Sequence, residues 1–231
     1  MIIKVCGMRE AENIREVEKL FTQDSSLFTL HSSLPTFWMG FIFWPKSSRY
    51  VAERPAYLPE HAKRVGVFVD EDVEIVKEKA EAFGLDVIQL HGHESSDYIS
   101  HLSPLTSHLS VIKAFNIATA ADLSQTAAYE GLVDYFLFDT KATLPGGSGQ
   151  QFDWSILDAY QGSTPFLLSG GIGPGDAARV KTFLTSHPSP LTSHFSPLTS
   201  KMCAGIDLNS RFEIAPALKD VTKLKAFLEK I

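Results

Sequence analysis

The chain has 231 residues, 44% of them hydrophobic and 21% charged, with a formal net charge of −6. These are the values of an ordinary globular chain of one large or two small domains. The acidic balance disfavours a nucleic-acid backbone binder, which usually shows a basic patch.

The first run, residues 2–6, is apolar but for Lys4 and is too soon interrupted for a signal peptide. It ends at Cys6-Gly7. The stretch 11–21 places Ile14, Val17 and Leu20 on one helical stripe. Further apolar runs follow at 37–43, 64–69, 87–91, 110–115, 135–139, 165–169 and 202–207. Several are apolar almost throughout, as expected of strands buried on both faces of a parallel sheet. Helical periods recur at 72–83, 175–184 and 219–228. Eight strands alternating with helices fit a single (β/α)8 barrel over residues 1–231. A doubly wound open sheet is the alternative, but Cys6-Gly-Met-Arg9 is not a Gly-rich nucleotide turn. No run approaches the ~20 apolar residues of a membrane span. The two cysteines, Cys6 and Cys203, lie in apolar strand-like runs, which argues against a disulfide framework, although closure could make them neighbours. A cytoplasmic protein is the expectation.

A seven-residue unit interrupts this plan. Ser100-His-Leu-Ser-Pro-Leu-Thr106 restarts at Ser107 and returns twice between Ser186 and Thr199, and residues 29–36 resemble a degraded copy. Prolines recurring in these stretches would break a helix. The stretches near 29–36, 100–110 and 185–200 read as low-complexity loop inserts at helix-to-strand connections, on the face of a barrel away from its catalytic loops. They carry five of the eight histidines. No Cys or acidic partner accompanies these, so a metal site is disfavoured.

Several residues stand where strands end and loops begin. Cys6 is either a small buried hydrophobe or, as a thiolate, a base or nucleophile. Asp139 ends an apolar strand, as a loop cap or as a carboxyl whose raised pKa suits it to donate a proton. Gly146-Gly-Ser-Gly149 is a linker or a lid. Ser169-Gly-Gly-Ile172 and Asp207-Leu-Asn-Ser210 follow the last two strands, where barrels often hold phosphate; tight turns are the alternative. Arg49 sits in a basic loop and could fork a carboxylate. Gln89 and His91 share one side of a strand and make a polar layer at the mouth.

Taken together, Lys4-Val-Cys-Gly-Met8, Gly40-Phe-Ile-Phe-Trp-Pro-Lys-Ser-Ser-Arg-Tyr50, Val65-Gly-Val-Phe-Val69, Gln89-Leu-His-Gly92, Phe138-Asp-Thr140, Gly146-Gly-Ser-Gly149 with Phe152-Asp-Trp154, Leu168-Ser-Gly-Gly171 and Gly205-Ile-Asp-Leu-Asn-Ser210 resemble, in order, the phosphoribosylanthranilate isomerase family of tryptophan biosynthesis. The resemblance runs from Ile2 to the C-terminus, interrupted by the inserts. It implies a (β/α)8 barrel that performs an Amadori rearrangement of a phosphorylated small molecule, without metal or cofactor, as a monomer or homodimer. It implies Asp139 as general acid and Cys6 as general base. Arg49 matches the contact to the anthranilate carboxylate and Asp207 the aspartate near the amine; Gln89 and His91 are counted with the substrate-binding residues. Gly170, Gly171, Asn209 and Ser210 match the phosphate loops, and Gly146 and Gly147 a lid. Two positions depart: Trp44 replaces a smaller aromatic, and Arg211 stands where glycine is expected. If residue 211 needed a positive φ, Arg would be disfavoured there; otherwise it adds a cation near the phosphate. A different phosphate-binding barrel enzyme, or a decayed barrel used for docking, are the competing readings.

Overall fold

A computed structural model describes residues 1–22, 36–102, 108–140, 153–187 and 203–231. Eight parallel strands close in chain order: β1 Ile2–Cys6, β2 Thr36–Ile42, β3 Lys63–Phe68, β4 Val87–Leu90, β5 Ser110–Ile117, β6 Tyr135–Thr140, β7 Phe166–Ser169 and β8 Cys203–Leu208. Closure is made by β1 on β8, with Ile3 level with Ile206 and Lys4 level with Asp207.

The unbroken apolarity of the strands has two destinations. Ile2, Trp38, Val65, Val87, Ile112, Leu137, Leu167 and Ala204, at least one residue from every strand, pack as a plug inside the barrel. The alternate residues, such as Ile3, Val5, Met39, Phe41, Phe136 and Phe138, join the shell beneath the helices.

Helix α1, Ala11–Thr22, buries Ile14, Val17 and Leu20, as its period predicts. Helix α2, Val73–Phe83, buries Val76, Ala80 and Phe83. Its N-cap is Asp72, whose side chain accepts from Glu74 N, and it stops at Gly84 in the left-handed region (φ 57°). Helix α4, Ala177–Ser186, is entered through a tight 3-10 turn at Pro174–Asp176.

Several connections differ from the plan. No helix joins β2 to β3; the loop between them contains Pro45, Pro55 and Pro59, which oppose one. After β5 and β6 the helical segments are 3-10, at Ala120–Tyr129 and Trp154–Ala159. A short helix α3, Ser96–Leu102, has too few turns to show a period. The helix expected from residue 219 starts later, as α5 Val221–Leu228, because Lys219 belongs to a small hairpin, β9 Glu213–Ala215 with β10 Leu218–Lys219.

The repeat stretches span the connections from α1 to β2, α3 to β5 and α4 to β8, but they are not loop throughout: Thr36 begins β2, Ser100–Leu102 end α3, Ser110 begins β5 and Thr185 and Ser186 end α4; residues 29–35, 103–107 and 188–200 of them lie outside the described residues, as do Gly146 and Gly147. Cys6 and Cys203 are both free and stand on adjacent strands, but at opposite ends of them. No helix among the described residues is long and apolar enough to cross a membrane.

Candidate active site

At the C-terminal ends of the strands lies a cavity of about 310 Å³, lined by Cys6, Gln89, His91, Asp139, Ser169, Gly170, Gly171, Asp207, Asn209, Ser210 and Arg211, with Ile42, Val67 and Ile172 as its apolar wall. The volume suits a small molecule. Nine of the residues singled out from the sequence meet here.

Cys6 is the last residue of β1, 4% exposed. Lys4 lies two residues earlier on the same inward side of the strand and is fully buried. Its Nζ donates to Asp207 Oδ1 at 2.9 Å, and Ser169 Oγ donates to Asp207 Oδ2 at 3.2 Å. Burial pushes the Cys6 thiol up; Lys4 pulls it back, Asp207 pushes it further up, and Lys219 pulls it down. Burial would lower the Lys4 ammonium, but Asp207 and Cys6 hold it above its ordinary value. The cation under Cys6 therefore favours the thiolate that burial opposes. Gly40 and Gly7 make room around the thiol's strand end. A Cβ on Gly40 would stand 2.8 Å from Cys6 Sγ, and one on Gly7 (φ 76°) 2.6 Å from Arg49 Cδ.

Asp139 projects from β6, across the barrel from β1. His91 Nε2 stands 3.7 Å from Asp139 Oδ2, and the other ring nitrogen, Nδ1, is 2.8 Å from Gln89 Nε2. With the amide donating to Nδ1, the ring proton is assigned to Nε2, facing Asp139. Gln89 is 1% exposed and its Oε1 has no partner among the described residues.

Arg49 does not line the cavity. It lies beside Gly7 in the loop after β2, where Glu213 grips its guanidinium: Nε donates to Oε1 at 2.8 Å and Nη2 to Oε2 at 2.6 Å. Glu213 also accepts from Lys219 Nζ at 2.6 Å, which in turn donates to Asn209 Oδ1 at 2.9 Å. Burial would raise the Glu213 carboxyl, but Arg49 and Lys219 hold it below the usual range. Hydrogen bonding to Glu213 keeps the Arg49 charge firmly on. Tyr57 OH and His61 N both donate to Glu18 of α1, at 2.5 and 2.6 Å, and pin the loop that carries Arg49.

The loops after β7 and β8 face each other. Gly170 and Gly171 both have positive φ, 92° and 67°, conformations that suit glycine. Asp176 Oδ2 accepts from Gly173 N at 2.8 Å and ties the turn to the start of α4. Opposite, residues Ser210–Phe212 form a 3-10 turn. Arg211 therefore has no positive φ; the conformation feared for a glycine replacement does not arise, and the arginine joins the cavity lining.

Lys4, Ser169 and Glu213 were not picked out as site residues from the sequence. Lys4 carried a signal, as a lone cation in an otherwise apolar strand. The pairing of Glu213 with Arg49, 164 positions away, left none.

A sequence model of the N-(5'phosphoribosyl)anthranilate (PRA) isomerase family matches residues 7–230. The chain is 47% identical over 231 residues to the N-(5'-phosphoribosyl)anthranilate isomerase of Phocaeicola vulgatus, covering 100% of this chain and 98% of that one. It is 47% identical over 237 residues to that of Parabacteroides distasonis, covering 100% and 93%. The crystal structure of phosphoribosyl anthranilate isomerase from Thermotoga maritima superposes with a TM-score of 0.72 at 26% identity, covering 100% of this chain and 98% of that one. The barrel, its cavity and these likenesses agree: the chain belongs to the N-(5'-phosphoribosyl)anthranilate isomerase family.

Proposed function

We infer that the chain isomerises N-(5-phosphoribosyl)anthranilate to 1-(2-carboxyphenylamino)-1-deoxyribulose 5-phosphate, a step of tryptophan biosynthesis, by general acid–base chemistry between Asp139 and Cys6. The observation that carries the role assignment is that a carboxyl from β6 and a thiol from β1 line one cavity from different sides. Asp139 protonates the ribose ring oxygen; the C1–O bond breaks and the ring opens to a Schiff base with the anthranilate nitrogen. The Cys6 thiolate then removes the proton from C2, and the electron pair moves to the Schiff-base nitrogen, giving an enolamine. Tautomerisation of the enolamine yields the ketone. Gln89 and His91 orient Asp139. Asp207 lies next to Cys6, in reach of the substrate amine, and is held there by Lys4 and Ser169. Arg49 offers the guanidinium donor that Glu213 leaves free to the anthranilate carboxylate. The loops at Gly170-Gly171 and Asn209-Ser210 receive the phosphate.

The same proposal takes the assembly to be a monomer or a homodimer. A cytoplasmic setting belongs to the same proposal and is supported by two cysteines that are free in the fold.

The test is loss of anthranilate-type fluorescence from substrate made in situ from anthranilate and phosphoribosyl pyrophosphate by a separate transferase. Turnover by the wild type, with a loss of about 100-fold or more in kcat for Cys6→Ser and for Asp139→Asn, is expected. Unchanged rates in both variants would remove the role assignments.

A further inference from the structure

We propose that Arg211 is an additional phosphate-binding residue, its guanidinium gripping the substrate's phosphate from the loop after β8, opposite the glycine turn of the loop after β7. The proposal rests on the reading of these two loops as the phosphate site.

Four observations support it. First, Arg211 lines the cavity together with Gly170, Gly171 and Ser210. Second, its backbone is fixed by its neighbour: Phe212 is fully buried and packs edge-on against Phe227 of α5, ring centroids 5.1 Å apart. With Phe212 turned into the core, the exposed Arg211 is left on the cavity side of the turn. Third, the stem of the side chain runs beside Gly173, where an added Cβ would stand 3.5 Å from Arg211 Cβ and 3.6 Å from its Cγ. The arginine thus leans across towards the loop after β7. Fourth, the guanidinium has no hydrogen-bond or ion-pair partner among the described residues. The nearby acid, Asp176, is buried and turned to Gly173 N.

The opposing turn supplies what an anion needs. Gly170 and Gly171 both sit at positive φ, and a Cβ on Gly171 would meet nothing within 4 Å, so the space before that turn is open. A phosphate monoester has its second pKa near ~6 and carries three acceptor oxygens above it. A guanidinium presents paired donors that match two such oxygens. The rest of the cavity lining carries two carboxylates, Asp139 and Asp207, which repel a dianion; a cation with no partner among the described residues, at the phosphate end, sets its orientation.

The test uses the fluorescence assay with Arg211→Ala and Arg211→Lys, and inorganic phosphate as a competing probe. Arg211 is exposed, so both variants should keep the fold, which circular dichroism checks. The expected result is a rise of about tenfold in KM, and in the inhibition constant of inorganic phosphate, for the alanine variant, outweighing any fall in kcat. The lysine variant recovers part of both, as a point charge without the fork. The wild-type affinity gain as the phosphate becomes a dianion, between about pH 5.5 and 7.5, flattens in the alanine variant, a change that a merely structural role would not produce. If phosphate competes equally well in wild type and alanine variant, the site stands and the role of Arg211 is overturned. If phosphate does not compete in the wild type, the reading of the two loops fails and the proposal with it.

Discussion

At the scale of single residues, the site depends on positions with little freedom to change. Gly40 shows it most directly. A methyl there would stand 2.8 Å from Cys6 Sγ and 3.1 Å from Cys6 Cα, so the thiol or the backbone of β1 has to shift. Gly40→Ala is expected to lower kcat by about 100-fold, because small misplacement of a reacting group is costly. Stability should fall by only about 1–3 kcal/mol, the usual range for overpacking. Steady-state kinetics beside urea unfolding checks this; an unchanged kcat would mean that the thiol is not held to a tight geometry. Most of these residues could be read from the sequence, because a thiol or acid ending an apolar run is conspicuous. The grip of Glu213 on Arg49 could not: it joins two loops 164 positions apart and has no local pattern.

At the scale of elements, polar clamps hold the loops that carry the site. Glu94, 4% exposed, accepts from Asp70 N at 2.9 Å, from Gly92 N at 3.0 Å and from Lys113 Nζ at 2.9 Å. Lys113 also donates to Gly92 O at 2.8 Å. Together they fix the loop that starts at His91. Glu94→Ala leaves the Lys113 ammonium buried without its carboxylate, and a loss of about 3–5 kcal/mol in unfolding free energy is expected. Urea titration measures it, and a loss below about 1 kcal/mol would show that the pair is dispensable. The strands could be read to within about two residues because two-sided burial makes them uniformly apolar. The 3-10 segments could not. Ala120–Tyr129 is rich in small and polar residues and starts with a capping box at Thr119 and Asp122, with little apolar period to betray it. The start of the helix expected from 219 differs for another reason: Lys219 N and O both bond to the buried side chain of Asn13, which draws that segment into the hairpin.

At the scale of the whole molecule, the interior holds two thiols that resist ionisation. Burial pushes Cys203 up to about 12, and Cys6 is raised as well. Below the ordinary value of 9.0 the Cys203 thiol is protonated in both folded and unfolded chains, and its contribution to stability is fully present. Above that pH the unfolded chain loses the Cys203 proton first, so stability falls by about 1.4 kcal/mol per pH unit until the folded value is approached. Cys203→Ala should therefore reduce the loss of stability between about pH 9 and 11 by roughly 2–3 kcal/mol. Urea unfolding across that range tests it; equal slopes in both proteins would refute it. The barrel itself could be read from the count and order of the strands, whereas its polar interior, with Lys4 beneath Cys6, needed the register of β1 on β8.

That register has a consequence for how the chain is made. The ion pair between Lys4 and Asp207 spans 203 positions, and β1 finds its second neighbour only in β8. During synthesis the first strand to leave the ribosome must wait, one edge unpaired, for almost the last. Cys6 gains its electrostatic surroundings at that same moment. Appearance of turnover during refolding should thus report ring closure itself, and a nascent chain halted before β8 should be both inactive and a client for chaperones.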